Sequence, residues 1–449
     1  MQLRPMPKLT TGLLAVLLLP MVANAQQATP EYPDAKASDP VTLRFMLGSP
    51  PPAERIVAFE DGSFLRFPQL RWALSHWREL RPTAPIYRGS GKVRALLRAE
   101  RTDIDAVTFI PLNGGPRMTW AQSLEANYTD GIVVLHRGKI IYEKYFGALT
   151  AQGQHIAHSV TKSFFGTIAA MLIDEGKLDE TAPVSKYIPE LKNSAFGDAT
   201  IRQLLDMTTA LKFSEKYTDP NAEIWDFARS AGMAPQPSGY QGPLSMYGYL
   251  PTVKKDGEHG AGFTYRSANA EVTTWLIGRV TGKSAQQVLQ ERIWEKLGAE
   301  QDAYIQVDAH GNAIGAGGLN VGLRDLARFG ELMRLNGVWN GQQVISAAVV
   351  AEIRRGGSPE KFVNGGYTTL PGWSYHNQWW ISHDDHGVYE ARGVYGQAIY
   401  VDPKAEMVIA RFGSAPWASN IFLDPKSLPA FRALADHLLA TDAVRSKRR

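Results

Sequence analysis

The chain has 449 residues, 44% hydrophobic and 20% charged, a soluble globular composition with material for two or three domains or one large domain with an inserted lobe. It contains no cysteine, which excludes disulfides, thiol catalysis and cysteine metal sites. Of the 48 basic residues, Arg4 and Lys8 belong to an N-terminal leader; without them 46 stand against 44 acidic, and no basic stripe with interleaved aromatics points to a nucleic-acid partner.

The leader comes first. Arg4 and Lys8 precede the apolar run Leu13–Leu19, and Ala23-Asn24-Ala25 supplies the small-x-small pattern read by a signal peptidase. The run is shorter than the roughly 20 residues of a membrane span. Residues 1–25 are therefore expected to be a signal peptide, with an uncleaved anchor as the alternative. Export to the periplasm or the medium, with no stable membrane insertion after cleavage, follows from the first reading.

Residues 26–95 read as a polar, proline-bearing leader and an N-terminal extension with one helix around Leu70–Leu80. The main domain is expected over 96–445. It opens on a hairpin, Gly131–His136 and Lys139–Tyr145 about Arg137-Gly138. A mostly helical middle follows, with apolar periodicity over Thr161–Asp174, Ile201–Met207, Ala270–Val280, Ala285–Leu297 and Leu323–Leu335. Gly176, Gly282, Gly298 and Gly337 stand where helix C-caps belong.

Two more hairpins follow, Gln378–Ser382 with Val388–Ala391 and Ala398–Val401 with Met407–Phe412. Helical spacing then returns over Leu428–Leu439, before a basic tail at 446–449. Strands, helices, then strands again predict an α/β (α+β) fold: an antiparallel sheet flanked by helices, with a helical lobe inserted over about 175–335. Nothing here sets an oligomeric state.

The chemistry concentrates at Ser159-Val160-Thr161-Lys162. Residues three apart share a helix face, so the lysine amine can reach the serine hydroxyl. A serine hydroxyl is a weak nucleophile until a neighbour takes its proton. Lysine can do so only when neutral, which asks for a pKa well below about 10.4 and on the order of 4 kcal/mol of desolvation and like-charge pressure. The apolar helix behind it, with Phe164, Phe165, Ile168, Met171 and Leu172, suits that demand. Ser358-Pro359-Glu360-Lys361 repeats the pattern in a polar, proline-bearing setting that reads as a loop.

His158–Phe164, Asp174–Leu178, Val184–Pro189 and Ile201–Thr209 together resemble, in order and spacing, the active-site region of serine β-lactamases, penicillin-binding proteins and related esterases. The resemblance implies a β-lactamase/transpeptidase-like fold with Ser159 as nucleophile and Lys162 as its base. Gly262–Asn269 resembles the family's Tyr-x-Asn segment and implies Tyr265 as the proton relay, with Lys162 stabilising its anion. The amide lies four residues on at Asn269 instead of two, so the amide role passes to Asn269 or Ser267.

No Lys-[Ser/Thr]-Gly or His-[Ser/Thr]-Gly occurs, which argues against a dedicated β-lactamase. The corresponding Gly393-Val394-Tyr395-Gly396-Gln397 looks like the branch containing 6-aminohexanoate-dimer hydrolases and related carboxylesterases, as do Gly48–Ala53, Leu70–Leu80 and Ser214–Pro220. Glycines there would let a substrate carbonyl approach a backbone N–H, the second half of an oxyanion hole, with Gln397 as the expected donor and Tyr395 beside it. Tyr217 is expected to lie over the substrate.

His383-Asp384-Asp385-His386 places two histidines in one turn, short of the three or four convergent ligands of a zinc site, and reads as polar residues of an exposed turn. No metal or cofactor is expected. The expected activity is hydrolysis of a small-molecule amide or ester through an acyl-enzyme. A carboxylesterase or D-amino-acid peptidase of the same fold, and a non-catalytic binding module, are the alternatives.

Overall fold

The computed structural model describes residues 32–447, with side chains to Val444; the expected signal peptide and the end of the expected basic tail lie outside the described residues. The central element is a seven-stranded antiparallel sheet. Its order is Ser374–His376, Trp379–Ile381, Tyr389–Gly393, Gln397–Asp402, Met407–Gly413, Thr129–His136 and Lys139–Tyr145. All three hairpins read from the sequence are in it. Within this sheet the N-terminal hairpin and the C-terminal strands meet where Met407–Gly413 pairs with Thr129–His136.

Side chains alternate across the pleat. Ile132, Val134, Met407 and Ile409 face one layer, packed with Trp120, Phe431, Leu434 and Leu438 from the helices Trp120–Ala126 and Asp424–Lys447. Val133, Leu135, Val408 and Ala410 face the other, with Phe164 and Phe329 from the helices Val160–Asp174 and Leu323–Arg334. Both faces are covered, which is why Ile132–Leu135 reads as a continuous apolar run instead of an alternation.

A second, four-stranded antiparallel sheet is ordered Thr83–Ile86, Ala303–Gln306, Leu319–Gly322, Gln154–Ile156. Two of its strands fall inside the stretch read as a helical lobe, and that stretch ends in a helix, Leu323–Arg334, packed on the large sheet. The helical insertion proper therefore ends before Ala303. Ala303–Gln306 and Leu319–Gly322 are buried throughout, and a four-residue buried strand carries no alternation to mark it. The expected helix at Leu70–Leu80 is two short turns, Leu70–Ala73 and Trp77–Leu80. Among the described residues no helix is long and apolar enough to cross a membrane.

Candidate active site

The helix Val160–Asp174 is buried from Val160 through Leu172, as its all-round apolar sequence requires. Phe164 stacks on Phe329 with ring centroids 3.8 Å apart. Gly166 lets the backbone of Asn377 approach: a Cβ there would sit 2.2 Å from Asn377 O. The Ser159 end is fixed by a tight entry. His158 adopts φ +44°, and its carbonyl accepts from Thr161 twice, from the hydroxyl at 2.6 Å and the N–H at 2.9 Å. Thr161 Oγ1 in turn accepts from Leu319 N–H at 3.1 Å, tying the turn to the small sheet.

Ser159 is the half-buried N-cap residue of this helix, and Lys162, 1% exposed, follows one turn later. Lys162 Nζ lies 2.8 Å from Ser159 Oγ and donates to Ala316 O at 2.6 Å. Burial pushes the lysine down to about 8, while the carboxylates of Glu215 and Glu271 pull the other way. A base toward Ser159 needs a neutral amine, and this shift brings that form within reach of neutral pH.

Tyr265 also lies beside Ser159, whose hydroxyl bears on its phenol. Lys162 Nζ sits 5.1 Å from the centre of the Tyr265 ring, over its face. Burial, reinforced by the Glu215 charge, holds the phenol well above its ordinary value. The resting form of Tyr265 is thus the neutral phenol.

A cleft opens on both sides of Ser159. One lobe, about 180 Å³, is lined by Tyr265, Glu215, Arg392, Asn420 and Asp424. The other, about 90 Å³, is lined mainly by apolar side chains, among them Trp77, Ile224, Phe227, Ala228 and Met233. Ser159, Tyr217 and Val394 line both. Tyr217, 37% exposed on its loop, is brought to the cleft as expected, with its hydroxyl 3.5 Å from Glu215. Tyr395 joins the apolar lobe at φ +63°, its ring 5.4 Å from that of His158.

Two expected contacts are not made. The Gln397 side chain is turned inward, accepting from Gly413 N–H at 3.0 Å and donating to Gly413 O at 2.7 Å, and Gln397 does not line the cleft. Its place beside Ser159 is taken by Gly393 and Val394. A Cβ on Gly393 would lie 2.7 Å from Ala157 O and 3.1 Å from Ser159 N, so only glycine lets the strand end approach the serine backbone this closely. Asn269 is fully buried one layer back, accepting from the Thr209 hydroxyl at 2.7 Å. The first-turn position belongs to Ser267, whose N–H donates to Glu215.

Several residues of the cleft carry no local sequence signal. Glu215 sits against the N-terminus of the helix Ser267–Thr281, and burial raises its carboxyl. Arg392 is clamped between Glu390, at 2.8 Å, and Asp424. Glu271, fully buried, accepts from the N–H groups of Gly315 and Ala316 at 3.1 and 2.8 Å, and so fixes the carbonyl that Lys162 holds. The Ser358-x-x-Lys361 repeat is an N-cap: Ser358 Oγ accepts from Lys361 N–H at 3.2 Å. In the His383–His386 turn, His383 pairs with Ser374 and His386 with Asp402, each at 2.7 Å.

The β-lactamase family model matches residues 122–416, which contain all of these groups except Trp77 and those from Asn420 onward. The chain belongs to the β-lactamase family. Within it, this serine hydrolase is 35% identical over 355 residues to a 6-aminohexanoate-dimer hydrolase of Paenarthrobacter ureafaciens, covering 79% of this chain and 88% of that protein. A Bacillus anthracis structure provisionally named a 6-aminohexanoate-dimer hydrolase superposes with a TM-score of 0.79 at 31% identity, over 87% of this chain and 99% of the other. A D-stereospecific amidohydrolase from Streptomyces sp. superposes with a TM-score of 0.52 at 18% identity, over 68% of this chain and 96% of the other, a likeness of fold.

Proposed function

We propose that this β-lactamase-family hydrolase cleaves a small-molecule amide or ester through an acyl-enzyme on Ser159. The observation that carries the reading is the 2.8 Å approach of Lys162 Nζ to Ser159 Oγ, with the amine buried and its pKa pushed down to about 8. Neutral Lys162 takes the hydroxyl proton as Oγ bonds to the substrate carbonyl carbon. The carbonyl oxygen becomes an oxyanion facing the N–H groups of Ser159 and Val394, the latter replacing Gln397 as second donor. Tyr265 passes its proton to the departing nitrogen or oxygen and is reprotonated from the Lys162 ammonium. Water then enters by the same steps reversed and releases the acid.

The likeness to two proteins named 6-aminohexanoate-dimer hydrolase favours linear amides over β-lactams, in line with the absent Lys-[Ser/Thr]-Gly cation. The test is a covalent adduct. Incubation with a fluorophosphonate or a nitrophenyl ester should add one acyl or phosphonyl mass to the intact protein, and Ser159→Ala should abolish it. An unmodified wild-type protein after prolonged exposure would overturn the proposal. Export is proposed as well, from Arg4, Leu13–Leu19 and Ala23-Asn24-Ala25. N-terminal sequencing of protein recovered from outside the cytoplasm should begin at Gln26; an intact N-terminus there would count against cleavage.

A further inference from the structure

The two lobes flanking Ser159 differ in kind, and Tyr265 says which is which. Tyr265 lines only the lobe that also holds Glu215, Arg392, Asn420 and Asp424. If Tyr265 protonates the leaving group, as the reading above requires, the leaving group departs into this polar lobe. It meets groups suited to it, including the buried Asn420 Oδ1, an acceptor with no partner among the described residues. The acyl group must then occupy the opposite lobe, behind Ser159 and Val394.

That acyl lobe presents no ionised side chain among the described residues that line it. The helix Glu223–Ser230 supplies one wall and is amphipathic: Ile224, Phe227 and Ala228 are buried toward the lobe, while Asp226 and Arg229 pair with each other on the outer face at 2.8 Å. Trp77 closes another side, held by its indole N–H donating to Gln306 at 2.9 Å. His158 is the one imidazole present. It packs against the rings of Trp77 and Tyr395, its Nε2 has no partner among the described residues, and burial pushes it down to about 3, so it is neutral.

We infer that the acyl half of the substrate is a short, uncharged apolar group, alkyl or aryl, and that a 6-aminohexanoyl chain is a poor acyl donor here. The inference rests on the acyl-enzyme reading and adds the substrate class to it. Each methylene moved from water into an apolar wall favours binding about fourfold. A terminal ammonium would be buried with no carboxylate to meet it, a cost far larger than any methylene returns.

The experiment is kcat/KM for nitrophenyl esters and anilides with acetyl, butanoyl, hexanoyl and 6-aminohexanoyl groups, using the full chain. Specificity should rise about fourfold per methylene until the lobe is full. The 6-aminohexanoyl substrates should fall at least about a hundredfold below hexanoyl. Equal rates for hexanoyl and 6-aminohexanoyl, or no dependence on chain length, would overturn the inference while leaving the acyl-enzyme intact. No turnover and no fluorophosphonate adduct would instead overturn the reading beneath it. Ala228→Leu, which fills the lobe, should suppress hexanoyl turnover at least tenfold while retaining acetyl turnover. Retention of both would place the acyl group elsewhere; should this variant fail to fold, the wild-type series alone still decides.

Discussion

Lys162 is a cation that the protein has made reluctant to be one. Because burial lowers its pKa to about 8, the neutral base is a minority near pH 7 and grows as pH rises. The acylation limb of kcat/KM should therefore climb about tenfold per pH unit up to a bend near 8. A bend near 6.5 would assign the base to another group. Glu271 provides the sharper check. Its carboxylate favours the ammonium form, so Glu271→Gln should move the bend to lower pH, and the weakened grip on Gly315 and Ala316 should lower kcat as well. A fall in kcat without movement of the bend would make Glu271 merely structural.

Tyr265 invites a different comparison. An amine leaves only after protonation, whereas nitrophenolate leaves unaided, so Tyr265→Phe should reduce amide turnover by about 10²–10⁴ and activated-ester turnover much less. Equal losses on both substrates would remove Tyr265 from the proton path. Ser159 and Lys162 are legible in the sequence because their relation is local, three residues along one helix. Glu215, Arg392 and Asp424 are not, because each reaches the cleft from a separate loop, helix or strand, nor is Glu271, which acts on the backbone behind Lys162. Asn269 and Gln397 do not face the cleft because the helix that starts at Ser267 carries Asn269 into the core and the bend at Tyr395 turns Gln397 away.

At the scale of elements, hairpins and long helices announce themselves. The Arg137-Gly138 turn, the apolar run of 160–172 and the glycine that caps Ser267–Thr281 were all visible in the sequence. What the sequence does not display is how closely elements approach. Two glycines carry that information. A methyl group at Gly166 would strike the backbone of Asn377, and one at Gly393 the backbone of Ala157 and Ser159. Backbone cannot move aside as a flexible side chain can, so the two substitutions should fail differently. Gly166→Ala forces the buried helix away from its neighbour and should cost about 1–3 kcal/mol in a urea titration. Gly393→Ala displaces the strand end beside the nucleophile and should lower kcat at least tenfold with a smaller stability loss. Unchanged kcat in Gly393→Ala would mean the strand end does not shape the oxyanion site.

Across the whole molecule, a buried network centred on Arg71 ties the N-terminal extension to the catalytic body, beside the pairing of Thr83–Ile86 with Ala303–Gln306. Arg71, from the first turn of the extension, lies 3.4 Å from Asp130, both almost fully buried. Its other nitrogens donate to Ala35 O at 2.5 Å, to Ser38 Oγ at 3.0 Å and to Ser414 Oγ at 3.0 Å. The Ser414 hydroxyl donates to Asp130 at 2.8 Å, and His155 approaches the second Asp130 oxygen at 3.3 Å. The network thus spans the extension, both edges of the strand pair at Thr129 and Gly413, and the strand Gln154–Ile156 that leads into His158 and Ser159.

Replacing Arg71 with methionine keeps the volume but leaves the Asp130 carboxylate buried and uncompensated, which should cost about 3–5 kcal/mol. Replacing Asp130 with asparagine in the same chain removes the stranded charge and should restore a large part of that loss. The double variant is therefore expected to be more stable than Arg71→Met alone in a urea titration. A double variant at least as unstable as the sum of the singles would show that the arginine acts through its bonds to Ala35, Ser38 and Ser414 and not through the charge it neutralises. Trp77 sits on the same extension and walls the acyl lobe. Loosening Arg71 should accordingly erode the preference for longer acyl groups before it erodes acetyl turnover, since only the former depends on where the extension rests.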